Sequence, residues 1–331
     1  MEDIKVSVCC LVYNHEKYLR QCLDSILMQE TNFKYEILIH DDASTDGSAD
    51  IIREYERKFP DIIKPIYQTE NQYSKKIQIS WTYQYPRAKG KYLAWCEGDD
   101  FWCDSQKLQM QYDILEQNSK CVFCAHTVQE IFEDGIYSQE TYPNFNLEEG
   151  ILEADRWMEC LLSQNKYIFQ TSSYFLRKEV IMSKIRNIPQ FVLASPVGDY
   201  PLMMLAAIEG DAYYIKKPMS CYRKGSNGSW SSTVFQNNKR RINTYKKAIV
   251  SYQLYKEESN HRFDTYVDVK IAFDEFRMYG LTKDYKKMLK SKYKFLMNQQ
   301  TLKEKLYIYI FGYMPWLKKP YEKGKQFFRN I

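Results

Sequence analysis

The chain has 331 residues, 44% hydrophobic and 27% charged; this excludes a disordered or fibrous protein and leaves room for one large domain with an appendage, or for two domains. Its net charge of +5 is unevenly placed: Asn237 to the carboxyl end carries 22 Lys/Arg against 9 Asp/Glu, and Met1 to Gln236 carries 25 against 33. An acidic body with a basic tail excludes a whole-chain nucleic-acid binder and predicts a tail that meets an anionic surface such as a membrane leaflet.

Ile4 to Tyr13 is a continuous apolar, β-branched run, the pattern of a buried parallel strand. Tyr18 to Met28 follows with helical spacing of apolar residues. Tyr35 to His40 reads as a second buried strand and runs into the polar turn Asp41-Asp42-Ala43-Ser44-Thr45-Asp46-Gly47. Ser48 to Phe59 reads as a helix, Ile62 to Gln68 as a strand, Gln78 to Ala88 as a helix and Tyr92 to Cys96 as a strand ending at Glu97. This alternation predicts an α/β fold with a Rossmann-like, mostly parallel sheet flanked by helices. Leu108 to Gln117 (helix), Cys121 to Phe132 and Tyr167 to Leu176 (strands), Lys178 to Ser183 and Asp199 to Ile208 (helices) and Ala212 to Tyr222 (strand) continue it. Gly225 to Ser232 is a Gly/Ser-rich loop, and helical patterns follow over 237–257, 263–279, 283–299 and 302–313. The expected organisation is a catalytic domain over 1–236 and a basic helical extension over 237–331.

Ligands of such sheets sit beyond the carboxyl ends of the strands. Three polar clusters are expected there: Tyr13, Asp41-Asp42 and Glu97-Gly98-Asp99-Asp100. Three carboxylates within four residues repel one another unless a cation is present, and hard oxygen ligands suit Mg²⁺ or Mn²⁺. Asp99, Asp100 and Glu97 are the candidate metal ligands. Asp199, at the start of its helix, is a candidate general base. Arg223 could offer a fork to phosphate, beside a loop able to close over it. The nine cysteines lack a metal-ligand rhythm and read as core residues.

Tyr13-Asn14, then Asp41 to Ser48, then Gly90-Lys91-Tyr92 leading into Glu97 to Trp102, resembles family 2 glycosyltransferases of the GT-A fold over about residues 4 to 236. The resemblance implies a nucleoside diphosphate-sugar donor, a UDP-sugar by family habit, a divalent cation and inversion at the anomeric carbon. It places Tyr13 and Asp42 at the nucleotide base, Asp99 and Asp100 at the ribose, diphosphate and metal, and Asp199 as base; Leu11, Asn14, Asp41 and Arg223 are further candidate contacts of the nucleotide-sugar. Glu97 stands where Asp is commoner in the family, and Gly198 where many members carry a second acid. The Gln-x-x-Arg-Trp signature of processive synthases is missing, so transfer of one sugar per event to a saccharide or lipid-linked acceptor is expected, in surface polysaccharide or glycolipid synthesis. Two other readings are a nucleotidyltransferase, although Asn14-His15-Glu16-Lys17 is not the Gly-rich phosphate loop one expects there, and a non-catalytic nucleotide-sugar-binding scaffold. No signal-peptide pattern opens the chain and no apolar run reaches ~18 residues. The expected setting is therefore cytoplasmic, with Leu306 to Leu317 and nearby lysines either an anchor on the inner membrane face or a helical cap packed on the catalytic domain.

Overall fold

The computed structural model describes residues 3–163, 168–225 and 237–318. The chain divides into two compact units, residues 1–193 with 197–232, and residues 194–196 with 233–331. The expected boundary near Gln236 falls within 226–236, outside the described residues, as does most of the Gly225 to Ser232 loop.

The first unit opens with β1 (Ile4–Val12), α1 (Glu16–Leu27), β2 (Lys34–Asp41), α2 (Ser48–Lys58) and β3 (Ile63–Tyr67), close to the predicted bounds. β1 and β2 are buried because helices cover the sheet: Leu19, Cys22, Leu23 and Ile26 of α1 and Ile51 and Ile52 of α2 join Val6, Val8, Cys10, Ile37 and Ile39 in one core. Gln78 to Ala88 is not an α-helix but a π turn (Ser80–Gln84) and a 3₁₀ turn (Tyr85–Arg87). Pro86 lacks the N–H that an α-helix needs there. Then come β4 (Tyr92–Trp95), β5 (Phe101–Trp102), α3 (Lys107–Gln117), β6 (Cys121–Phe132), β7 (Tyr137–Tyr142), β8 (Gly150–Leu152), α4 (Ala154–Met158), β9 (Phe175–Arg177), α5 (Glu179–Met182), α6 (Gln190–Ala194), α7 (Asp199–Glu209) and β10 (Asp211–Lys224).

The strands form one mixed sheet in the order β3-β2-β1-β4-β9-β6-β10-β5, with β7 on β6 and β8 on β10. The first four are parallel; β9 runs antiparallel to both β4 and β6, and β10 is parallel to β6. The strand expected over Tyr167 to Leu176 is corrected. Residues 164–167 lie outside the described residues, Thr171–Ser173 is a 3₁₀ turn, and only Phe175–Arg177 is strand. Ser173 Oγ donates locally to the Gln170 carbonyl at 2.7 Å, and the Trp102 indole N–H, from a distant strand, donates to the Ser172 carbonyl at 3.1 Å, so side-chain bonds displace the ladder. The β6–β10 register is irregular on both sides of Pro218, beyond which Ser220 and Cys221 pair antiparallel with Trp102 and Phe101. That pairing brings Arg223 to the acidic motif.

The second unit holds α8 (Asn238–Glu258), α9 (Asp264–Thr282), α10 (Tyr285–Met288), α11 (Lys294–Gln299) and α12 (Leu302–Tyr313). The Asn237 side chain caps α8, accepting from the Lys239 and Arg240 amides at 2.9 and 3.2 Å. The single helix expected over 283–299 is broken between α10 and α11 by a 3₁₀ turn at Ser291–Tyr293. Tyr285 and Met288 are buried, and so are Tyr293, Leu296 and Met297. The step of five between Met288 and Tyr293 would swing an unbroken helix roughly 140° off its buried face. Among the described residues no helix is long and apolar enough to cross a membrane.

Candidate functional site

β2, β1 and β4 are neighbours, so their carboxyl ends set Asp41-Asp42, Tyr13-Asn14 and Glu97 to Asp100 side by side. The turns there are tied to one another. Asn14 takes a left-handed backbone (φ 58°), which asparagine tolerates. Its side-chain oxygen accepts from the Thr45 amide at 2.7 Å, and its own amide donates to Ser44 Oγ at 3.0 Å. The His15 amide donates to Ser48 Oγ at 2.9 Å, the Glu16 amide to Asp46 at 3.0 Å, and the Gly47 amide back to Glu16 at 2.9 Å. The polar turn is thus largely spent on holding the β1–α1 turn. Tyr13 stays 45% exposed at its edge.

Asp41 and Asp42 are both buried. Asp42 accepts from the Gln72 and Tyr73 amides at 2.7 and 3.0 Å, which shapes the loop after β3. Burial pushes the Asp41 carboxyl up, against bonds from Ser44, and its Oδ1 has no hydrogen-bond partner. His40 is buried with neither ring nitrogen hydrogen-bonded, and its Nε2 lies 3.7 Å from Asp42. Burial pushes its pKa down, against the pull of Asp42.

The acidic motif docks on β1: the Gly98 amide donates to the Leu11 carbonyl at 2.9 Å, and the Asp100 amide to the Glu97 carbonyl at 2.9 Å. Gly98 has no room for a side chain, because a Cβ there would lie 2.7 Å from His15 Nδ1 and 3.1 Å from Val12 Cγ2. Asp100 is buried and accepts from the Arg223 amide at 2.8 Å. Burial, then the charges of Asp99 and Glu97, lift its carboxyl well above the usual range, with Arg223 opposing. Glu97, partly open to solvent, is pushed up to about 8 by burial, then by Asp99 and Asp199. Asp199 therefore lies near enough for its charge to be felt at Glu97. Its carboxylate accepts from the adjacent Tyr200 amide at 2.8 Å, and burial lifts it against that bond. The structure thus brings Asp199 to the motif from a residue about a hundred positions away.

Arg223, expected as a phosphate fork, is turned inward. Its Nε donates to the Asp99 carbonyl at 3.0 Å, one terminal nitrogen to the Glu133 carbonyl at 3.4 Å and the other to Gln21 at 2.9 Å. It stacks 4.5 Å from the Tyr18 ring. The β5–β10 pairing dictates this, since it carries Arg223 beneath the motif it clamps. Trp81, Trp95 and Trp102 are all core residues. The sequence reading missed His15. Its Nε2 lies 3.9 Å from Asp99, and its Nδ1 is buried with no hydrogen-bond partner. The available signal was its place beside Asn14, at the end of the same strand as the other site residues.

Among the described residues no three His, Cys, Asp or Glu side chains are preassembled around a cation position. The donor set is nonetheless the right kind, since the Glu97 and Asp100 carboxyls are raised partly by Asp99, repulsion that a cation would relieve.

Comparison with known proteins gives matches in sequence and in fold. Residues 7–176 match the family Glycosyl transferase family 2. An uncharacterized protein of Mycobacterium tuberculosis is 33% identical over 227 residues, 69% of this chain and 61% of that protein. Among solved structures, residues 1–349 of TarS from S. aureus, in complex with UDP-GlcNAc, superpose with a TM-score of 0.60 at 16% identity, covering 89% of this chain and 79% of the other. A mannosyltransferase of Pyrobaculum calidifontis, in complex with GDP-Man and Mn²⁺, gives a TM-score of 0.50 at 13% identity, covering 95% and 90%. At these identities the shared property is the fold.

Proposed function

From the premise that the chain belongs to glycosyl transferase family 2, we propose that it transfers one sugar from a nucleoside diphosphate-sugar, a UDP-sugar, to an acceptor hydroxyl with inversion. The observation that carries this reading is the meeting of Glu97, Asp99, Asp100 and Asp199 at the carboxyl end of β4, beside the nucleotide-side turns of β1 and β2. Tyr13 and the Asp41-Asp42 turn receive the nucleoside; Leu11 and Asn14 hold the backbone that frames it. Arg223 fixes Asp99 and Asp100 from beneath.

Asp199 takes the proton of the acceptor hydroxyl as its oxygen attacks the anomeric carbon. The bond from that carbon to the diphosphate breaks, and its electron pair leaves with the diphosphate. Burial lifts Asp199 above an ordinary carboxylate, which makes it a stronger base. Mn²⁺ or Mg²⁺ fits the crowded carboxylates; Asp99 with Asp100 or Glu97 would hold it, and when bound it supplies positive charge to the departing diphosphate. The acceptor is a saccharide or lipid-linked saccharide of surface polysaccharide or glycolipid synthesis. TarS in complex with UDP-GlcNAc, sharing this fold, supports the choice of donor class.

A nucleotidyltransferase would release pyrophosphate, whereas this reaction releases a nucleoside diphosphate. Thermal shift across a panel of nucleotide-sugars with Mn²⁺ tests the reading. A ligand at about a hundred times its Kd adds about 2.7 kcal/mol to stability. A UDP-sugar should raise the melting temperature more than free UMP or the free sugar; a panel without any shift contradicts the proposal.

A further inference from the structure

We propose that α12 and the turn after it form a docking face for an anionic lipid surface. Only one side of α12 faces the core of its unit: Ile308, Phe311 and Gly312 are buried, and the Phe311 ring lies 6.3 Å from Tyr285. The other side is apolar and uncovered among the described residues. Leu302 is 75% exposed, Tyr313 69% and Trp316, in the following turn, 68%, and Leu306, Tyr309 and Ile310 are also exposed. On a helical wheel Leu302, Leu306, Tyr309, Ile310 and Tyr313 share one arc about 100° wide, with Lys303 and Lys305 at its two borders.

A lone exposed leucine needs no explanation, but an unbroken apolar arc does. Residues 283–318 carry 9 Lys against 2 acidic groups. Asp284 and Glu304 are those two; Asp284 pairs with Lys287, and the Glu304 carboxylate accepts from Thr301 in the helix cap. The face thus mixes leucine and isoleucine with tyrosine, has tryptophan in the turn beyond it, and carries lysine at both borders. That is the composition of an interfacial helix, its rings at headgroup depth and its ammonium groups among anionic headgroups. A second copy of the chain fits less well, because a two-fold contact sets each lysine rim against its own copy. The helix is too short to span a bilayer, so the contact is peripheral.

The inference stands apart from sugar transfer, since lipid binding needs no donor and either reading can fail alone. The test is flotation of the full chain with vesicles of equal parts phosphatidylglycerol and phosphatidylcholine, and with pure phosphatidylcholine, beside sedimentation velocity without lipid. The chain should float with the anionic vesicles and much less with the neutral ones. The Leu306→Ser/Tyr313→Ser/Trp316→Ser variant should lose about tenfold or more in partitioning. Lys303→Glu/Lys305→Glu, which leaves the apolar groups in place, should lose binding to the anionic vesicles selectively. Wild type that stays at the bottom overturns the proposal, as does equal flotation of wild type and both variants. A lipid-free dimer that the serine variant dissociates, without flotation by wild type, gives the face to a second copy instead.

Discussion

Gly98→Ala probes the seam between β1 and the acidic motif. The added Cβ would lie 2.7 Å from His15 Nδ1, 3.1 Å from Val12 Cγ2 and 3.3 Å from the Leu11 carbonyl. The first contact is closer than carbon tolerates. The carbonyl cannot yield freely, because it accepts from the Gly98 amide at 2.9 Å, and the His15 backbone is tied to Ser48. Forcing a methyl into such packing costs about 1–3 kcal/mol. In thermal unfolding that is roughly 2–4 °C per kcal/mol for a unit of this size. The mutation should also raise KM for the donor, since Asp99 follows Gly98 directly. Urea unfolding of Gly98→Ala, His15→Ala and the double variant isolates the cause. Removing the ring removes the tightest contact, and the next nearest, at 3.1 and 3.3 Å, are relieved by a few tenths of an ångström. Gly98→Ala should therefore cost less in the His15→Ala background than in wild type, by about 0.5 kcal/mol or more. An equal cost in the two backgrounds would refute the reasoning.

Lys107 is fully buried, donates to Gln111 at 2.7 Å and lies 4.1 Å from the Trp102 ring; burial pushes its amine down from 10.5 to about 7. Between those values the unfolded chain binds a proton that the folded chain does not, so this group makes stability rise with pH, at most about 1.4 kcal/mol per pH unit. Lys107→Met should flatten the rise in urea-unfolding free energy above pH 7, and an unchanged slope would sink the assignment. Asp42→Ala strips the acceptor from the Gln72 and Tyr73 amides. It should cost about 1–3 kcal/mol and speed hydrogen exchange at those two amides; unaltered protection there would show that Asp42 does not hold the loop.

The first half of the sheet was legible because its signals are local. Continuous apolar runs mark β1 and β2, helical spacing marks α1 and α2, and a buried parallel sheet has few other solutions. The acidic motif and Asp199 were legible as residue types at strand and helix ends. What was hidden depends on distant partners. The antiparallel insertion of β9 is decided by pairing with β4 and β6, and the 3₁₀ turn before it is held in part by the bond that the distant Trp102 indole donates to the Ser172 carbonyl. β7 and β8 are short, and their weak alternation did not register. Arg223 read as a phosphate fork because a sequence shows a charge beside a loop, not the inward acceptors at Asp99, Glu133 and Gln21. His15 stayed unread because its proximity to Asp99 exists only once Gly98 has docked on β1. The tail's exposed arc was visible as apolar sequence, but only the packing of Ile308 and Phe311 shows which side remains open.

The central claim is that Asp199 acts as base at a site whose other carboxylates serve the leaving diphosphate. The measurement that tests it most directly is nucleoside diphosphate release from the best-binding UDP-sugar with Mn²⁺ and acceptor, for wild type and Asp199→Asn, alongside the donor Kd of each. The amide keeps the shape of the carboxylate and loses its basicity. Release should fall roughly 10²–10⁴-fold while the donor Kd stays unchanged. Turnover retained by Asp199→Asn would contradict the account.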